Sequence, residues 1–146
     1  MNFKNVGLAF LIWTLTGCAT PGVYLEESNY SVKQHRIATT QALGLVREVS
    51  RNGRVMLSAF HDAKFKEIDI TPKTQQRYFT RVTILGAMRP YRVQVEVILE
   101  KRDPDTKQFA MVDSIDELAQ KRARAIKDML NQSRDEATTF DEQNPF

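Results

Sequence analysis

The chain has 146 residues, 42% of them hydrophobic and 27% charged, with a formal net charge of +3 and a sequence pI near 9.1. That is one domain's worth of protein, long enough to bury roughly two thirds of the surface its unfolded form exposes. A single cysteine excludes an internal disulfide, so apolar packing has to hold the fold, and the weak positive charge does not mark a nucleic-acid binder.

Lys4 is the only charge before an eleven-residue apolar run from Val6 to Thr16. As a helix that run rises only ~16 Å against a hydrocarbon core of ~30 Å, so it reads as a removable export signal and not as a lasting span. It ends in Leu15-Thr16-Gly17-Cys18, which resembles the lipobox of bacterial lipoproteins: an apolar residue and two small ones before a cysteine. The resemblance implies cleavage after residue 17, a diacylglyceryl thioether on Cys18 and an acylated, typically palmitoylated, amino terminus. Several acyl chains give stable anchoring where one alone is marginal. Ala19 follows, where an aspartate marks inner-membrane retention in the enterobacterial pattern, so the resemblance favours the periplasmic leaflet of the outer membrane over the inner membrane. The mature part keeps 20 of the 21 basic residues and all 18 acidic ones, a formal charge of about +2.

From residue 18 to 29 no period is sustained, and the stretch reads as a lipidated cysteine followed by a flexible tether. Ser31-Val32-Lys33-Gln34 has the form of a capping box, and Ala38, Ala42, Leu45, Val46 and Val49 recur at helical spacing, predicting a helix from Val32 to Ser50 stopped by Asn52-Gly53. Arg54 to Phe60 and Phe65 to Ile70 are rich in strand formers, as two strands or one bent one. The strongest sheet signal is Arg77 to Leu85, a connection Gly86 to Pro90, and Tyr91 to Lys101. Tyr91, Val93, Val95, Val97 and Leu99 share one face with Tyr78, Thr80, Val82 and Ile84 opposite, and the second face is largely polar. Phe109 to Val112 adds a short edge strand. Ser114-Ile115-Asp116-Glu117 reads as a second capping box, opening a helix to about Ser133 with Ile115, Leu118, Ala119, Ala123, Ile126, Met129 and Leu130 in one stripe. Residues 134–146 read as a loose polar tail. The expected fold is a two-layer α+β sandwich over residues 30–133, with two helices on one face of a three- to four-stranded, mainly antiparallel sheet. Its layout is similar in outline to small periplasmic lipoprotein domains such as the lipopolysaccharide-transport lipoprotein.

Sites for chemistry are sparse. His35, in the first turn of the first helix, reads as a partly exposed surface residue. His61 and Asp62 face opposite ways in an extended strand, so they share a metal only if a turn joins them. No Gly-x-Ser-x-Gly elbow or Gly-rich phosphate loop occurs, and Asp103/Asp105 and Asp141/Glu142 lie in a turn and a tail. No catalytic residue, metal or cofactor is therefore assigned beyond the lipid on Cys18. On the polar sheet face, Phe79, Leu85 and Ile98 interrupt Arg81, Thr83, Arg92, Gln94 and Glu96. Phe79, Arg81, Arg92 and Ile98 are the candidate protein-docking residues, with a covered face and a core role for Phe79 as the alternative. Arg77, Arg89 and Arg102 are candidates for anionic headgroups, against a merely solvated rim. The expected role is a non-enzymatic, lipid-anchored accessory to an envelope protein complex. Alternatives are a lipid, lipopolysaccharide or peptidoglycan binder and, third, a small hydrolase using His61 or Asp62. Oligomeric state does not follow from the sequence.

Overall fold

The alternation that runs through residues 76–102 folds as the central hairpin of the molecule. The computed structural model describes residues 21–143, with side chains through Ser133. In chain order the elements are β1 (Val23–Tyr24), α1 (Val32–Leu43), β2 (Val46–Val49), β3 (Val55–Ser58), β4 (Gln76–Leu85), β5 (Arg92–Arg102), β6 (Phe109–Ser114) and α2 (Asp116–Gln143). The sheet runs β1-β5-β4-β3-β2, with β6 also on β5, and all pairings are antiparallel. The α+β sandwich is as expected, but the sheet has six strands. β1 and β6 divide one edge of β5: Val23 stands opposite Val95, while Phe109 and Ser114 stand opposite Arg102 and Ile98.

Register places Val82 opposite Val95, Ile84 opposite Val93 and Thr80 opposite Val97, with Met56 of β3 beside Val82. This inner face carries the core. Ala38 and Leu43 of α1, and Leu118, Ala119, Ala123, Ile126 and Leu130 of α2, complete it. Each fully buried aliphatic side chain contributes ~1.5–3 kcal/mol, which decides the layer arrangement over the weak local propensities.

The box at the start of α1 forms, with Gln34 N–H donating to Ser31 Oγ at 3.2 Å and Ser31 N–H to Gln34 Oε1 at 2.8 Å. The helix stops seven residues earlier than the spacing predicts, because Gly44 takes φ 75° while its N–H closes the last turn on Thr40. Val46 and Val49 then enter β2, and Asn52-Gly53 is the turn of the β2–β3 hairpin.

Part of the stretch expected as tether belongs to the sheet. Gly22 at φ 103° passes so close to β5 that a Cβ there would lie 2.5 Å from Glu96 Cγ, and from Val23 onward the segment pairs with β5 as far as Ser28. Residues 65–70 form no strand. The Asp62 carboxylate accepts from the N–H groups of Lys64 and Lys66 at 2.8 and 3.0 Å and curls the chain into a turn instead. Ser114 is likewise no cap: it ends β6 opposite Ile98, and its buried Oγ has no partner among the described residues. α2 carries the expected stripe but runs on to Gln143, so most of the supposed tail is helical backbone. Cys18 and the lipobox lie outside the described residues. No helix among the described residues is long and apolar enough to cross a membrane.

Candidate functional site

The outer face of β4 and β5 is not an open docking face. Phe79 is 8% exposed and Ile98, directly opposite, 1%. Phe60 meets Phe79 edge-on at 6.1 Å, and the Arg47 guanidinium lies 4.2 and 4.8 Å from the centres of those two rings. Arg77 sits over Phe60 and Phe109 at 3.7 and 4.0 Å while its Nε donates to Glu100 at 2.6 Å. Arg81 donates to the buried Glu96 carboxylate at 2.7 Å. Delocalised guanidinium planes suit this layer because they stack on rings and bond carboxylates at once. Of the four expected docking residues, Phe79 and Ile98 are thus packed, Arg81 is paired, and Arg92 makes a half-exposed ion pair with Glu27. The expectation of a free aromatic anchor fails because other arginines and rings cover the face.

The three candidate headgroup arginines do not form one rim. Arg77 and Arg102 stand near the end where Gln76 meets Lys101, and Arg89 lies beyond the other, where Leu85 meets Arg92, roughly 30 Å away along the strands. Arg102 is spent on the Thr74 and Thr71 carbonyls, at 2.8 and 2.9 Å, and on the Phe109 ring. Arg89 borders a cleft with Glu27, Ser28, Tyr30 and Gln34.

What remains open on the sheet is its edge. Among the described residues β6 pairs only with β5, and on it Met111 is 54% and Val112 52% exposed. Val112 is the extra residue of a bulge, between Asp113 opposite Leu99 and Met111 opposite Glu100.

Both histidines are buried, His35 contrary to expectation, and burial pushes both pKa values down. His35 Nδ1 lies 2.9 Å from the Ser31 carbonyl, which only accepts, so Nδ1 carries the proton and Nε2 receives the Ser28 hydroxyl at 2.8 Å. The edges of Tyr30 and Tyr91 enclose the ring. This ties the β1 segment to α1. No pattern marks it in the sequence, since Ser28 and His35 meet only when that segment pairs with β5. His61 by the same logic donates to the Asp62 carbonyl at 2.8 Å and accepts from Thr80 at 3.2 Å, stacked on Tyr78. Backbone N–H groups of Lys66 and Lys64 hold the Asp62 carboxyl below its ordinary pKa. No group of three metal-ligating side chains occurs among the described residues.

Beside His61 lies a pocket of about 200 Å³ lined by Leu43, Leu45, Phe60, Glu67 and Arg122 among others. Arg122 is on the core stripe of α2 and is 9% exposed. Its Nη1 donates to the Ala42 carbonyl at 2.8 Å and its plane covers Phe65 at 4.0 Å. Sequence spacing alone hides this residue, because a cation on an amphipathic helix is expected at the water. No known protein-family model matches the chain, and neither a curated protein nor a solved structure does.

Proposed function

We propose that the protein is an outer-membrane lipoprotein on the periplasmic side, anchored through Cys18, that docks a protein of the cell envelope as a non-enzymatic accessory subunit. The observation that carries the docking is the uncovered β6 edge with Met111 and Val112 exposed. A free edge offers backbone donors and acceptors to an extended segment, and the exposed Met111 and Val112 side chains add apolar contact. The lipobox supports the address, and the anchor keeps the domain within reach of membrane-bound partners. The test is brief crosslinking in membranes, affinity purification and mass spectrometry beside Cys18→Ser and Met111→Lys/Val112→Lys. A stoichiometric envelope protein lost in the double variant supports the reading. Equal capture by wild type and the double variant removes β6 from it.

A second reading, a small ester hydrolase, is favoured by one observation. Ser28 hydrogen-bonds a neutral, carbonyl-oriented His35 beside a cleft of about 640 Å³. An imidazole so held accepts a hydroxyl proton as the serine attacks an acyl carbon. Labelling of Ser28 by a fluorophosphonate, abolished in His35→Gln, supports it; absence of labelling eliminates it.

A further inference from the structure

We infer that the pocket between α1, β3 and α2 binds a small monocarboxylate on Arg122. A guanidinium stays charged at any physiological pH, and a buried charge is costly unless it is paired. The contrast within this molecule is direct. Glu96, the buried carboxylate, is paired with Arg81, whereas Arg122 takes part in none of the ion pairs formed among the described residues. Among the described residues its buried Nε has no hydrogen-bond partner. Nη1 is spent on Ala42 and Nε is shut off from solvent, which leaves Nη2 as the donor that a ligand in the pocket meets. A carboxylate oxygen bonded there gains a charge-assisted hydrogen bond and neutralises the guanidinium.

The walls narrow the chemistry. Leu43, Leu45 and Phe60 line the pocket with carbon, and about 200 Å³ holds a carboxyl group with a short chain. His61 lends no donor, because its proton goes to Asp62 and its other nitrogen to Thr80. Glu67 is exposed, lines the same pocket and takes part in none of the ion pairs among the described residues. One cation facing one anion disfavours a dianionic phosphate and favours a single negative charge. The Glu67 carboxylate also offers a place for a cationic group, so an amino acid fits better than a plain short-chain acid. This site is separate from the β6 edge and does not depend on the docking reading.

The experiment follows the Arg122 Nε–H resonance by nuclear magnetic resonance in the soluble Cys18→Ser form of the full mature chain, titrated with propionate, alanine and inorganic phosphate in turn. Expected are saturable shifts with alanine and propionate, alanine the tighter, and weaker binding of phosphate. Arg122→Lys should weaken carboxylate binding about tenfold or more, since a single ammonium cannot hold the Ala42 carbonyl and the ligand in the guanidinium's fixed geometry. Glu67→Gln, an exposed change, should tighten propionate and weaken alanine. Should the lysine variant fail to fold, Ala59→Leu narrows the pocket from its wall and should abolish binding with Arg122 intact. No saturable shift with either carboxylate overturns the inference. So does binding that is unchanged in Ala59→Leu. Phosphate binding tightest of the three overturns the assignment to a monocarboxylate.

Discussion

On the inner face of β4 and β5, Val82, Val95 and Val97 are sealed by two helices; on the outer face Phe79 and Ile98 reach nearly the same burial beneath arginine planes and neighbouring rings. The inner face is held by non-directional apolar contact. The outer one is held by geometry: Arg47 on two rings, Arg77 on two rings and Glu100, and Arg81 on Glu96. A polar residue in an alternating strand therefore need not face water. With its outer face occupied, the sheet has its edges left for contact with other molecules.

Substitutions separate the two faces. Ile126→Ala, at a fully buried position of α2, should lower unfolding free energy by about 4 kcal/mol in urea titrations, the largest effect here. Phe79→Ala should cost about 3 kcal/mol, since it removes a ring that both Phe60 and Arg47 contact. Glu96→Gln should cost about 1–2 kcal/mol: the carboxylate is buried, but Arg81 is 39% exposed and regains water.

Acid sharpens the contrast from another side. His35 and His61 are held below their ordinary pKa, so the unfolded chain binds protons that the folded one refuses. Stability conferred by the neutral rings is full above about pH 6.5 and is lost progressively as pH falls toward the folded values. His35→Gln should flatten that slope in melts taken across this range. Smallest in stability is Met111→Lys/Val112→Lys, within about 0.5 kcal/mol of wild type because both side chains are half in water, although it should abolish capture at the edge.

Much of this was legible in the order of residues. The alternation of β5 names its inner face correctly, and the stripe from Ile115 to Leu130 names the packed side of α2. What escaped depended on events the local pattern does not carry. Leu45, Val46 and Val49 continue the spacing of α1, yet Gly44 breaks the helix and the Asn52-Gly53 turn folds Val46–Val49 onto β3. Ser114 has the spelling of a cap but is claimed by pairing with Ile98. The arginine layer brings together residues as distant as Arg47, Phe60, Arg77 and Phe109, and the Arg122 pocket joins both helices to the loop after β3. Their partners meet only through tertiary packing.

The outer face of β4 and β5 is core, and equilibrium urea unfolding of Phe79→Ala against wild type tests that most directly. The prediction is a clear fall in midpoint with an unchanged slope, corresponding to about 3 kcal/mol. A midpoint equal to wild type would show a ring that contributes nothing to the fold, and would return Phe79 to the surface as a docking residue.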